Sequence, residues 1–243
     1  MATNKKARID TEPVFILHQY PYRETSLLLD VFSQSHGRFS VTARGARRPG
    51  STLRGILMAF QPILFSWFGT GELKTLHRAE WQGGVPHLSG LPLLCGFYMN
   101  ELLMKLLPRD DPVPALFSTY YQSITRLARV NVAQTSVEPV LREFELNLLR
   151  ELGYGFDLQH EHASGIAIEA DREYAFQYGC GLIPHYAGVP AFKGQTLLDL
   201  AQGNFSRPET LQQSKILMRQ ALAHELNGAS LHTRQILLDL QML

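Results

Sequence analysis

A small closed β-barrel followed by an all-helical domain with a short irregular, hairpin-bearing insertion is the fold class this sequence predicts. Three observations carry that expectation. Residues 13–82 read as short strands parted by turns, without helical periodicity. After Gly83-Gly84 the apolar spacing becomes helical, and between about 154 and 192 the helical pattern lapses.

Each barrel element has its own signal. Pro13 to Tyr20 is a nearly continuous apolar strand, and Ser26 to Phe32 is a second. Gly37 opens R-F-S-V-T-A-R, with Phe39, Val41 and Ala43 on one face and Arg38, Ser40, Thr42 and Arg44 on the other. A glycine-bearing loop, Gly45 to Gly55, leads into the strand-like run Ile56 to Phe68, which puts Ile63, Phe65 and Trp67 on one side. Gly69-Thr70-Gly71 turns the chain into Glu72–Trp81, where strict alternation places Lys74 and Arg78 on a shared face. Five strands in about seventy residues point to a barrel of the OB type. A sandwich fragment is the alternative.

The helical part follows. Cys95, Met99, Leu102, Leu103 and Leu106 fall at helical spacing, as do Phe117, Tyr120, Tyr121, Ile124, Leu127 and Ala128. Pro108 and Pro112-Val113-Pro114 punctuate the turn between these two helices, and Asp110-Asp111 between the prolines reads as part of it. A third helix starts near Ser136 with Pro139 in its first turn and Gly153 placed to cap its end. R-E-Y-A-F-Q-Y-G-C-G-L-I-P reads as a hairpin. Ser206 and Glu209 form an S-x-x-E capping box before a further helix, and the last runs from about His232 to Leu243. The domains expected are 1–85 and 86–243.

With 45% hydrophobic and 19% charged residues the chain is globular in composition. Two cysteines, Cys95 and Cys180, give no disulfide framework and fit a reducing compartment. No apolar segment follows Lys5, Lys6 and Arg8 as a signal peptide requires, and Asn100, Glu101 and Lys105 interrupt the most apolar window. A cytoplasmic, untargeted protein with no membrane contact is expected.

Catalytic signatures are missing. There is no P-loop, no G-x-S-x-G elbow, no H-E-x-x-H, and no glycine fingerprint in register between strand and helix. Acidic residues are too scarce in the barrel for a two-metal nuclease. His160, His162, Cys180 and His185 supply zinc-type ligands, but without a C-x-x-C pair no metal is expected. The reading is of a protein that is not an enzyme and needs no cofactor.

Charge is what remains. The net charge is only +1, but residues 1–85 hold 11 Lys and Arg against 6 Asp and Glu, and the remainder holds 12 against 16. No acidic residue occurs between Val31 and Gly71. Backbone binding of nucleic acid needs several cations along one groove. Arg38, Arg44, Arg47, Arg48, Arg54, Lys74 and Arg78 are the candidate phosphate contacts, with no sign of base-edge readout. Phe39 and Trp67 are read as core rather than as stacking platforms. A barrel that binds an acidic protein instead of nucleic acid is the rival.

The segment E-T-S-L-L-L-D-V-F-S-Q-S-H-G-R-F-S-V-T-A-R-G-A-R-R (24–48) resembles the N-terminal signature of the bacterial DNA repair protein RecO family. The resemblance continues through S-T-L-R-G-I-L, F-Q-P and G-T-G-E-L-K-T-L (51–76) and Y-M-N-E-L-L (98–103). It recurs in L-R-E-F-E-L-N-L-L-R-E-L-G-Y-G (141–155) and S-L-H-T-R-Q-I-L (230–237), covering nearly the whole chain in order. It implies an N-terminal OB fold, a helical C-terminal domain and a cytoplasmic, nucleoid-associated role in DNA repair and homologous recombination. It further implies single- and double-stranded DNA binding, strand annealing and, with RecR, RecA loading onto strands coated by single-stranded DNA-binding protein. The acidic, hydrophobic-ended tail of that coating protein is an implied ligand. Arg142 is the candidate carboxylate clamp, with Leu141 and Tyr154 lining an apolar slot and Lys215 and Arg219 as a second cationic pair. The competing reading pairs Arg142 with Glu138 or Glu145 on its own helix. Some RecO-like proteins carry a four-cysteine zinc site, but this chain has only Cys180 in that region, so zinc is not carried over.

Overall fold

The structure, a computed structural model, describes residues 8–132 and 135–241, with side chains through Ile236. Strand β1 (Arg8–Tyr22) pairs antiparallel with β2 (Ser26–Ser33), and β2 with β3 (Gly37–Ala43). A helical turn, α1 (Leu53–Ile56), precedes β4 (Ile63–Phe68) and β5 (Leu73–Trp81). Strand β5 runs parallel to β3 over Ser40–Thr42 and antiparallel to β4, and β4 pairs back onto β1. The barrel closes in the order β1-β2-β3-β5-β4. The OB-type barrel expected from sequence is therefore formed, with all five strands in place. Strand β1 is long because its first half serves β4 and its second half β2, with register shifts at 9–12 and 16–18 where it bends.

Inside lie Ile16, Leu29, Val31, Val41, Phe65 and the Phe39–Trp67 ring pair, whose centroids are 4.8 Å apart. Phe39 and Trp67 are thus core, as read from sequence. The run Ile56–Phe68, expected as one strand, is a strand only from Ile63. Its first apolar residues look strand-like for a different reason: Leu53, Ile56 and Leu57 pack onto the barrel core from α1 and the loop after it.

The apolar continuity of β1 reflects burial on both faces. Phe15 turns away from the barrel interior toward Phe117 (5.4 Å) and Tyr120 (5.0 Å), and Phe32 also meets Phe117 (5.4 Å). These partners come from α3 (Pro114–Leu127), which follows α2 (Gly90–Leu106). Asn100 of α2 donates to the Leu17 carbonyl at 2.9 Å and accepts from the Tyr120 hydroxyl at 2.6 Å. Helices α2 and α3 consequently belong to the barrel's compact unit, which runs to Val130 and takes the chain up again from Leu231. The period change near residue 85 separates strands from helices, whereas the compact units part at Val130 and again at Ser230.

The second unit, Asn131–Ser230, contains α4 (Glu138–Glu151), a three-stranded sheet, α5 (Gly194–Ala201) and α6 (Pro208–Glu225). The sheet is ordered β7-β6-β8, from β6 (Glu173–Gln177), β7 (Gly181–Pro184) and β8 (Phe192–Lys193). The expected hairpin is β6–β7. Gly153 ends α4 at φ +84, with its N–H on the Arg150 carbonyl and the Tyr154 N–H on Leu149. The capping box at Ser206 is not formed. Arg207 occupies the N-cap of α6 without a side-chain bond, and Glu209 pairs with Lys193 at 3.0 Å.

The final helix, α7 (His232–Gln241), lies in the first unit, and residues 242 and 243 of the expected span lie outside the described residues, as do Lys5 and Lys6. Glu101 of α2 accepts bonds from the N–H groups of His232 (2.8 Å) and Thr233 (3.0 Å), satisfying donors at the start of α7 from another helix. Among the described residues no helix is long and apolar enough to cross a membrane.

Candidate nucleic-acid interface

Four of the seven predicted cations occupy one loop at one end of the barrel. Arg44, Arg47, Arg48 and Arg54 are all exposed, whereas Ala46 between them is buried in the core and anchors the loop. The loop is folded on itself by N–H bonds from Arg48 to Gly45 (3.1 Å), Ser51 to Arg48 (3.1 Å) and Arg54 to Ser51 (3.3 Å). The Arg54 guanidinium donates to the Arg47 carbonyl at 3.1 Å, which keeps it beside that arginine. Among the described residues none of the four is ion-paired with a carboxylate, and the loop itself contains none.

A fifth cation joins this group that sequence reasoning missed. The Arg47 N–H bonds the Thr25 carbonyl at 2.8 Å, tying the loop to the β1–β2 turn. That turn carries exposed Arg23, at φ +52, with its guanidinium 5.3 Å from the Tyr22 ring. Glu24 beside it concealed Arg23 in a count of charge along the chain. Tyr20, on the same side of β1 as Tyr22 by alternation, is exposed, with its ring 4.2 Å from the His18 ring at a tilt of 52°. Burial and the Asp30 carboxylate raise the Tyr20 pKa, with Arg109 opposing them.

The other three predicted contacts lie elsewhere, and two are withdrawn from solvent. Arg38 donates from Nε (3.0 Å) and Nη2 (2.8 Å) to the Leu107 carbonyl at the end of α2, a cation at a helix C-terminus. Burial and the neighbouring Arg109 lower its pKa, and Asp30 offsets part of that. Lys74 is only 6% exposed, paired with Asp110 and 4.5 Å from the Phe39 ring.

Strict alternation fails on β5 because its register shifts opposite Ser66 and Trp67: Ser66 pairs Arg78, yet Trp67 pairs Leu76. One extra residue reverses the faces. Lys74, level with core Val41, sits on the inner side, whereas Arg78 is exposed and paired with Glu80 at 2.9 Å. The expected shared face of Lys74 and Arg78 does not exist.

Asp110-Asp111 proves to be more than a turn. The 108–112 segment runs beside β3, where Arg109 bridges Arg38 and the Asp110 N–H bonds the Arg38 carbonyl at 2.9 Å. Arg109 also reaches Ser40 (2.8 Å) and Asp30 (3.7 Å). Gly37, at φ +65, permits this approach, because a Cβ there would collide with the Asp111 backbone.

In the second unit Arg142 is 8% exposed and donates to Glu145 at 2.6 Å, so the carboxylate-clamp expectation is corrected: the intrahelical partner holds it. Lys215 and Arg219 are exposed one turn apart on α6, with Lys215 4.0 Å from Glu138. Leu141, one turn beyond Glu138, is half-buried. Tyr154 is not with them. It lines a cavity of about 260 Å³ together with His160, His162, Cys180 and Glu225. The fourth zinc-type residue, His185, lies 3.1 Å from the Val189 carbonyl through Nε2 and does not line that cavity. Among the described residues no group of three or more His, Cys, Asp or Glu is arranged for a metal ion.

The fold is thus an OB-type barrel with an arginine loop free of carboxylate partners among the described residues, continued by a helical region. Comparison with known proteins narrows it. The family described as Recombination protein O N terminal matches residues 9–84, and Recombination protein O C terminal matches residues 88–235. The chain belongs to the RecO family of DNA repair proteins. It is 50% identical over 243 residues to the DNA repair protein RecO of Aromatoleum aromaticum, covering 99% of this chain and 100% of that one. Its identity to the Azoarcus sp. (strain BH72) RecO is 51%, over 97% and 98% of the two chains. For Nitrosospira multiformis RecO the identity is 47%, over 98% of each.

Proposed function

We propose that this protein is a non-catalytic recombination mediator that binds single- and double-stranded DNA without sequence preference and anneals complementary strands. One observation carries the reading: Arg44, Arg47, Arg48 and Arg54 are exposed and free of carboxylate partners among the described residues, in a loop bonded to the Arg23 turn. Phosphates would engage these five arginines, each neutralised phosphate releasing counterions. Tyr20 and Tyr22 supply exposed or half-buried rings on the adjoining strand for bases to stack on. Annealing follows when two strands share the patch, because its charge screens their mutual repulsion.

The partners are those of the family resemblance: RecR, the tail of single-stranded DNA-binding protein and, through them, RecA. The tail's acidic residues would meet Lys215 and Arg219, with Leu141 and exposed Ile216 as apolar neighbours. The site of action is the cytoplasm, at the nucleoid, and no cofactor is required. The test is titration of labelled single- and double-stranded oligonucleotides, followed by annealing of strands coated with intact or tail-less single-stranded DNA-binding protein. The mediator reading predicts saturable binding of both DNA forms and annealing that slows when the tail is removed. A protein-interaction adaptor predicts no binding of either.

A further inference from the structure

The 260 Å³ cavity in the second unit has a chemical character that the DNA reading does not use. Four aromatic residues, Tyr154, Phe156, Phe176 and Tyr178, contribute to its wall, and none of its described lining residues is Lys or Arg. Phe156 and Phe176 meet at 4.7 Å, while Tyr154 and Tyr178 are each nearly half exposed, so rings continue from the interior to the surface. Two carboxylates line the same space. Asp157 is exposed and already engaged, accepting from the Gln159 N–H at 2.7 Å and lying 2.8 Å from His160 Nδ1.

Glu225 differs. Its side chain is 8% exposed, and its Oε1 is buried without a hydrogen bond among the described residues. The neighbouring Glu225 carboxylate is the leading cause of a raised Tyr178 pKa. His224 Nδ1 stands 3.9 Å from Oε1, too far for a hydrogen bond. A buried carboxylate oxygen lacking its bond is costly, and a cation with an N–H donor is the group that best relieves it. Electron-rich ring faces attract the same group. A carboxylate-ended tail, by contrast, would be repelled, which removes Tyr154 from the tail slot proposed from sequence.

We propose that this cavity receives the guanidinium or ammonium end of an arginine or lysine side chain presented by a protein partner, with the charge at Glu225 and the methylene stem along the rings. The lining favours a single long side chain. The rings accept an apolar stem, and one buried carboxylate accepts one charge. This site is independent of the arginine loop.

The experiment titrates the full chain with N-acetyl-arginine amide and with its neutral isostere, N-acetyl-citrulline amide, by calorimetry and by the ring resonances of Tyr154 and Tyr178. The arginine compound is expected to bind saturably and the citrulline compound at least about tenfold more weakly. Glu225→Gln is expected to abolish the difference, and Ala221→Leu, which fills the cavity from α6, to abolish binding of both. Equal affinities for the two compounds in the wild-type chain overturn the proposal without reference to any variant's folding. Spermidine binding more tightly than an arginine-containing peptide overturns the assignment to a side chain. Oligonucleotide binding should be unchanged by Glu225→Gln, so this proposal and the DNA reading can fail separately.

Discussion

Arginine is the residue on which the account turns, and its members do different jobs at different depths. Arg44, Arg47 and Arg48 are solvated and touch little, so replacing all three with Ala should leave stability within about 0.5 kcal/mol per site while weakening DNA binding. Arg38 should show the reverse. Arg38→Ala removes both bonds to the Leu107 carbonyl and is expected to destabilise the barrel unit by about 1–3 kcal/mol, with the slope of DNA affinity against salt unchanged. Denaturant unfolding and oligonucleotide titration of the two variants separate the roles. If Arg38→Ala instead lost salt sensitivity and kept its stability, the assignment of Arg38 to the α2 terminus would be wrong. Sequence reasoning placed all of these in one group because alternation tells which side of a strand a residue is on, not what lies over that side. The outward side chains of β3 meet the end of α2, through Leu107, and the Arg109 side chain, which are distant in sequence and carry only the modest signal of two aspartates between prolines.

At the scale of elements, two junctions hold the first unit's pieces in place. The β2–β3 turn must accept the 108–112 segment, and Gly37 alone leaves room. Gly37→Ala is expected to cost more than about 2 kcal/mol, from the left-handed backbone and from the collision with Asp111 together, read as a fall in the unfolding midpoint. The second junction is the capping of α7 by Glu101. Burial alone would raise the Glu101 pKa, but bonds from Thr233 and His232 and the charge of Lys105 outweigh it, so the net shift is downward. A depressed carboxylate stabilises the fold above its unfolded pKa of about 4.3 and loses that contribution as pH falls through the lower folded value. Glu101→Gln should therefore flatten the acid side of the stability curve and loosen α7, measured as faster amide exchange at His232 and Thr233. An acid limb identical to wild type would contradict it. The strands and helices of both junctions were legible from period alone, because burial of one face imposes that period. The capping of α7 was not, because Glu101 and Thr233 lie more than 130 positions apart in sequence. The register shift on β5 was equally hidden, since an inserted residue looks like any other until its neighbours are known.

For the whole molecule, sequence and structure agree on the barrel, its strand count and the helical region that follows, and the family match spans both parts. What the change of period near residue 85 did not convey is that α2, α3 and α7 share a compact unit with the barrel. Aromatic contacts from Phe15 and Phe32 to Phe117 and Tyr120 decide that, and a periodicity argument has no access to them. The candidate site was legible in its most informative part, the acid-free arginine loop, and blurred where burial, pairing or a turn neighbour intervened.

The most direct measurement is the salt dependence of single-stranded oligonucleotide affinity for the wild-type chain and for the Arg44→Ala, Arg47→Ala, Arg48→Ala triple variant. Three lost phosphate contacts predict that the slope of log K against log salt becomes shallower by about 2, with affinity reduced most at low salt. A triple variant that folds normally and keeps the wild-type slope would contradict the arginine loop as the seat of DNA binding.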